Sequence, residues 1–189
     1  FLDNNVSDEI EKLIIQDNFP WYYTGKGVYN SNVYFFSHSL LDAGKKSDYA
    51  DEILLPLVSK IDGKKLLRAK INCYTRTENY THYPYHFDND DDKDIKVAIY
   101  YVNTNNGYTE VKDQGKVESV KNRLLLMNGN EQHKCTNQTD TDLRVNININ
   151  YKWGYMKDLK LIPPSDPRVQ SAIAPFQDDM LKEHDIKDR

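Results

Sequence analysis

Residues 143–151 alternate without a break: Leu143, Val145, Ile147, Ile149 and Tyr151 are apolar, and Arg144, Asn146, Asn148 and Asn150 are polar. Successive side chains of a strand leave opposite faces, so this period of two predicts an extended strand between two unlike environments. The apolar row requires a core. The polar row fits either an ordinary solvated face of an antiparallel sheet or the wall of a hydrated pocket. A buried guanidinium needs an acid, and its fork matches a carboxylate through two hydrogen bonds. Arg144 is therefore a candidate for holding the distal carboxylate of a ligand.

Further strands follow the same logic. Ala69, Ile71 and Cys73 alternate with polar residues over 68–74, and residues 96–102 form a continuous apolar run that suits a strand covered on both faces. Residues 103–107, Asn-Thr-Asn-Asn-Gly, are a turn signal. Residues 117–120 and 123–127 read as strands, as do 33–38 and the aromatic stretch after Pro20. Ser7 before Asp8 and Glu9 predicts a helix start, with Ile10, Leu13 and Ile14 on one face. Ser47 predicts the cap of a second helix carrying Tyr49, Ile53, Leu57 and Ile61, which Pro56 should kink or split. Two helices followed by about eight strands predict a mainly β domain, with bracing helices against a sandwich or barrel.

With 189 residues, the chain is expected to form a single domain over 1–162. Its helical and extended part would cover 1–63 and its β core 64–156. An extension over 163–189 has weak helical character near 176–186. A net charge of −4 with mixed signs argues against a nucleic-acid partner. The apolar runs are too short for a membrane span. Two cysteines, Cys73 and Cys135, fit a reducing cytoplasmic compartment, and no leader pattern stands at the start. The glycosylation patterns at Asn79 and Asn137 then read as chance matches. The oligomeric state is not legible.

His86 and Asp88 stand two apart, so in an extended segment both side chains reach the same side. On its own His-x-Asp is weak, and a solvated surface loop is the favoured reading of the triplet alone. His133 follows the apolar run 124–127, and Arg144 comes eleven residues later across a Thr/Asp-rich turn expected to be a hairpin. That order can bring two imidazoles, a carboxylate and an arginine around one cavity on successive β elements. Two histidines and a carboxylate with open positions are the ligand set of non-haem Fe(II) oxygenases. His38, His82 and His184 lack such a partner and read as structural or solvated. The acidic run after Asp88 invites calcium, but an EF-hand loop counted from Asp88 would need glycine at Lys93 and glutamate at Ile99.

The ordered set resembles the 2-oxoglutarate/Fe(II)-dependent oxygenases, most closely the prolyl-hydroxylase-like branch and its phage-encoded members. Its parts are Ile71-Asn72-Cys73-Tyr74, His86-Phe87-Asp88, Ala98-Ile99-Tyr100-Tyr101-Val102-Asn103, Asn122-Arg123-Leu124-Leu125-Leu126, His133, and Arg144-Val145-Asn146-Ile147-Asn148, spread over residues 68–152. The resemblance implies a double-stranded β-helix (jelly roll). It implies Fe(II) on His86, Asp88 and His133, with 2-oxoglutarate and O2 as co-substrates. Arg144 and Tyr101 would hold the distal carboxylate, Tyr74 would line the pocket near the metal, and Asn72, Asn146 and Asn148 would face inward behind these contacts. The implied reaction hydroxylates a substrate C–H bond and releases succinate and CO2.

There are departures from the family pattern. The stretch between Tyr74 and His86 is slightly longer, and a common Gly-Gly is Asn106-Gly107 here. Position 150 carries asparagine where the nucleic-acid demethylase branch has a second arginine. A peptide, protein or small-molecule substrate is therefore expected, selected by residues 75–85 and the tail. Two other readings stay open: a non-catalytic jelly-roll binding module, and a metal-dependent enzyme on this fold that does not use 2-oxoglutarate.

Overall fold

The computed structural model describes residues 1–25, 33–61, 65–89 and 91–152. The expectations for the tail, including its helical stretch and His184, lie outside these residues. Ten strands and two helices are present among them. The larger sheet is antiparallel and runs β1 (Tyr22–Thr24), β2 (Phe35–Asp42), β4 (Lys65–Thr75), β10 (Leu143–Lys152), β5 (Ile95–Tyr101), β8 (Leu124–Asn128), with β3 (Lys45–Lys46) paired to β2. The smaller sheet runs β7 (Gly115–Glu118), β6 (Tyr108–Val111), β9 (His133–Cys135). Two isolated bridges, His82 to Thr136 and His86 to His133, lay the 82–86 segment along the free edge of β9. No helix among the described residues is long and apolar enough to cross a membrane.

The two faces of β10 separate as their chemistry requires. Val145, Ile147, Ile149 and Tyr151 join Ala69, Ile71, Cys73, Ala98 and Tyr100 in the main core, which the helices α1 (Asn4–Ile14) and α2 (Ala50–Lys60) complete with Ile10, Ile14, Ile53, Leu54 and Leu57. A second cluster, Val97, Ile99, Tyr101, Val111 and Met127, brings together residues of β5, β6 and β8. The polar row of β10 is not a solvated face. Arg144, Asn146 and Asn150 are buried.

Both helices depart from their expected starts. α1 begins at Asn4 after Asp3, because Ser7 is spent elsewhere: it is buried, and its hydroxyl accepts a hydrogen bond from the Tyr100 hydroxyl at 2.9 Å. Ser47 does not cap α2 with its side chain; its carbonyl accepts the Ala50 N–H at 3.1 Å. Pro56 does not split α2. The carbonyl that loses its helical donor is that of Glu52, an exposed residue. A further correction concerns 136–142, which is not a hairpin turn: it crosses from β9 in one sheet to β10 in the other.

Ile147 is fully buried and Leu126 is 55% exposed on the neighbouring edge. Ile147→Ala is expected to lower the unfolding free energy by about 2–5 kcal/mol, through lost burial and the cavity left behind. Leu126→Ala should stay within roughly 0.5 kcal/mol of the parent. Urea denaturation followed by circular dichroism measures both; equal effects would contradict the assignment of faces.

Candidate metal centre

His86 and His133 face each other across the bridge between the 82–86 segment and β9. Each backbone N–H donates to the other residue's carbonyl at 3.0 Å. This reciprocal pairing sets the two imidazoles side by side, with ring centroids 4.4 Å apart and planes inclined at 52°. His133 does not simply trail the apolar strand, as its position in the sequence suggests; it opens a strand of its own in the other sheet. Asp88 reaches the same point from two residues past His86. One ligand atom from each of His86, Asp88 and His133 lies within 4.8 Å of the others, and His86 Nε2 stands 4.0 Å from Asp88 Oδ1.

The protonation pattern suits a cation. His86 Nδ1 lies 3.2 Å from the Pro84 carbonyl and His133 Nδ1 3.3 Å from the Glu131 carbonyl. A carbonyl only accepts, so each Nδ1 carries the proton and leaves Nε2 of the neutral ring with its lone pair. Burial, reinforced by the neighbouring His133, pulls the His86 pKa down to about 4, so this ring is neutral at pH 7. Burial pushes the Asp88 carboxyl up, but His133, the Asn148 amide and His86 outweigh it and hold it below its ordinary value. Asp88 Oδ2 accepts from Asn148 Nδ2 at 2.7 Å and from Asn150 Nδ2 at 3.2 Å. Its other oxygen is thereby left to face the histidines. Two imidazoles and one oriented carboxylate fit a divalent transition metal such as Fe(II).

Along the pocket wall, β10 and β4 pair side chain to side chain: Arg144 opposite Tyr74, Asn146 opposite Asn72, Asn148 opposite Lys70, Asn150 opposite Arg68. Asn72 Nδ2 donates to Asn146 Oδ1 at 3.1 Å. Arg144 is fully buried; its Nε donates to Ser119 Oγ at 2.8 Å and its Nη2 to Thr109 Oγ1 at 3.3 Å. The guanidinium carbon lies 5.1 Å from the Tyr74 ring centre and 5.9 Å from that of Tyr101. Arg144 Nη1 and the Tyr101 hydroxyl are buried without a hydrogen-bond partner, and among the described residues no carboxylate lies within 4.0 Å of Arg144. Burial raises the Tyr101 pKa, which keeps its hydroxyl protonated and able to donate. The two open donor groups match a ligand carboxylate.

The structure thus brings His86, Asp88 and His133 together and places Asn72, Tyr74, Asn146 and Asn148 around the same pocket, with Arg144 stacked on Tyr74 at one end. It separates His38 and His82 from this cluster. His38 is buried among Phe19, Tyr22 and Tyr49 with Nδ1 on the Pro20 carbonyl, and His82 packs near Tyr108. Asn137 is buried, with its amide engaged by Thr81 and Thr77, and is no glycan acceptor in this fold. Sequence reasoning missed Asn150, Ser119, Thr109, Arg68 and Lys70. The strand alternation already placed Arg68 and Lys70 on the face of Asn72 and Tyr74, so that signal was present.

No protein-family model matches the sequence, and no curated protein matches it. Solved structures do resemble it. A prolyl hydroxylase of Trichoplax adhaerens, in complex with a hypoxia inducible factor peptide fragment, superposes with a TM-score of 0.57 at 17% identity, covering 80% of each chain. A 2OG-Fe(II) oxygenase family oxidoreductase of Burkholderia pseudomallei gives 0.51 at 10% identity, over 77% of this chain and 76% of that one. The non-haem α-ketoglutarate-dependent epimerase SnoN of nogalamycin biosynthesis gives 0.52 at 14% identity, over 80% and 75%. The protein has the jelly-roll fold of these 2-oxoglutarate oxygenases.

Gly107 lies against Arg144. A Cβ there would come within 2.5 Å of Arg144 Cδ and 2.9 Å of Asn105 Oδ1. With Arg144 fully buried, its stem has no room to retreat. Gly107→Ala should therefore destabilise the protein by about 1–3 kcal/mol through overpacking. Thermal unfolding checks this, and an unchanged midpoint would show that the arginine is less confined than its burial implies.

Proposed function

We propose that this chain is a Fe(II)- and 2-oxoglutarate-dependent dioxygenase that hydroxylates a C–H bond, with a prolyl-type site in a peptide or protein as the substrate. The observation that carries the reading is the pairing of a metal-ligand cluster with a buried cation short of partners, which stacks on the pocket residue Tyr74. One is the His-His-Asp set, in which each histidine is engaged through Nδ1 by a backbone carbonyl. The other is a buried guanidinium with an open donor beside an open tyrosine hydroxyl. A short dicarboxylate that chelates the metal at one end and meets Arg144 at the other satisfies both. Arg144 also weighs against the metal enzyme that does not use 2-oxoglutarate, since such an enzyme would leave this cation buried without a counter-charge.

His86, His133 and Asp88 would hold Fe(II); Arg144 and Tyr101 would hold the far carboxylate of 2-oxoglutarate. The bound iron supplies the redox chemistry that couples loss of CO2 from 2-oxoglutarate, giving succinate, to transfer of one oxygen atom of O2 into the substrate C–H bond. The protein's own contribution is placement. Asn148 and Asn150 orient Asp88, the carbonyls of Pro84 and Glu131 fix the histidine tautomers, and Tyr74 stacks on Arg144 to shield it. The peptide preference draws on the Trichoplax prolyl hydroxylase, which is seen with a peptide. The free thiols of Cys73 and Cys135 are in keeping with a reducing, cytoplasmic setting.

Anaerobic addition of Fe(II) and 2-oxoglutarate should produce the weak visible charge-transfer band of the chelate, and His86→Ala or His133→Ala should abolish it. No band in the parent protein would overturn the reading. Asn148→Ala should weaken metal binding roughly 10–100-fold, through a freely turning Asp88. Arg144→Ala should weaken 2-oxoglutarate binding by on the order of a hundredfold while the metal is retained. Competition with a chromophoric chelator and titration of the band separate these two effects.

A further inference from the structure

The wall that carries Arg144 at one end carries two more cations at the other. Arg68 and Lys70 line the same pocket as His86, Asp88 and His133. Lys70 stands opposite Asn148 and Arg68 opposite Asn150, the two asparagines that hold Asp88. Among the described residues neither cation has a carboxylate within 4.0 Å, and the contact found for Lys70 Nζ is the Phe35 ring, 5.0 Å to its centre. Asp88, the one carboxylate lining the pocket among the described residues, is held by the asparagines at the metal position. A divalent metal and a dicarboxylate co-substrate cancel each other's charge, so filling both sites leaves the excess positive charge in place. Burial, with Arg68 as a neighbouring like charge, brings the Lys70 pKa down to about 8 against the opposing pull of Asp88.

These cations are poorly placed to share the carboxylate assigned to Arg144. Lys70 lies four residues along β4 from Tyr74, the partner of Arg144, which puts their backbones about 13 Å apart. We propose that Arg68 and Lys70 form an oxyanion subsite at the end of the pocket remote from Arg144, and that the substrate presents a carboxylate or phosphate group there. Lys70, deeper and level with Asn148, supplies the point charge; Arg68 offers the planar fork toward the rim. In a peptide substrate this selects an acidic or phosphorylated residue close to the one that reacts. The word substrate rests on the oxygenase reading above; the anion subsite itself does not.

The full chain, 15N-labelled and loaded with Zn(II) as a redox-inert ion plus 2-oxoglutarate, is titrated with sodium acetate and separately with sodium sulfate, a tetrahedral dianion standing for phosphate. Both should give saturable shifts of the backbone amide signals around Arg68 to Asn72. Lys70→Gln should weaken the response roughly tenfold, Arg68→Gln less, and Lys70→Arg should restore most of it. Acetate equal to sulfate assigns a carboxylate, and sulfate much the stronger assigns a phosphate. Absence of saturable shifts in the parent, shifts unchanged by both Gln variants, or shifts lost when 2-oxoglutarate saturates its own site would each overturn the subsite. Binding of 2-oxoglutarate is followed in the same sample through its 13C signals. If it fails to bind while the anion response persists, the oxygenase reading falls and the subsite stands.

Discussion

Because β10 lies between β4 and β5 with hydrogen bonds along both edges, its side-chain alternation is imposed on the whole molecule. A slip of one residue would turn Ile147 and Ile149 into the pocket and Arg144 into the helix-backed core. Neither outcome is tolerable: the first removes the aliphatic floor under α1 and α2, the second buries a cation among hydrocarbon. The register is therefore fixed by the core, and the pocket inherits it without any requirement of its own. Asn103 adds a clamp at the open end, donating to the Leu143 carbonyl at 2.8 Å and accepting the Val145 N–H at 2.9 Å. The precision with which Arg144 faces Tyr74 is thus a by-product of packing on the other side of the sheet.

The metal cluster is built by a different device. Its two histidines come from segments 47 positions apart in sequence that share no regular strand, and the reciprocal backbone pair between them holds the rings together. A backbone pair is indifferent to side-chain identity, so the cluster is pre-set before any ion arrives. The same segment carries Asp88 two residues on, where β10's asparagines seize it. Core packing and an isolated bridge, independent in origin, meet at Asp88.

That division explains what the sequence made legible. The period of two revealed β4 and β10, and with them Arg144 and the asparagines; a continuous apolar run revealed β5, and the family resemblance singled out Tyr101 and Tyr74. His-x-Asp was visible as a local pattern. The pairing of His86 with His133 was not, because 82–86 has no hydrophobic period and its partner strand β9 is three residues long. β6 escaped for the same reason, following a turn signal with only four residues. Ser7 was misread because its hydroxyl serves Tyr100 across the core rather than its own helix, a long-range use that no local cap rule contains. Asn150 was noted for the arginine it is not; its work as a donor to Asp88 depends on the register of β10 against the 82–88 segment.

The distribution of charge along the row then acquires a physical sense. Cations stand at both ends, Arg144 at one and Arg68 with Lys70 at the other, with the neutral Asn72–Asn146 pair between them; Asn148 and Asn150, opposite Lys70 and Arg68, donate to the single carboxylate. A cation in the place of Asn148 or Asn150 would pair with Asp88 and compete with a metal for it. Asparagine donates to Asp88 Oδ2 without neutralising it, so the carboxylate keeps its charge for an ion while its orientation is fixed. The guanidinium of Arg144 is kept away from that carboxylate by the Asn72–Asn146 pair between them, and so stays uncompensated until a ligand brings an anion. A fold that buries a cation without its counter-ion gives up stability, on the order of several kcal/mol for a fully desolvated charge. The main core behind β10 offsets that loss: the fully buried Val145, Ile147 and Ile149 lie directly on the reverse of Arg144, Asn146 and Asn148.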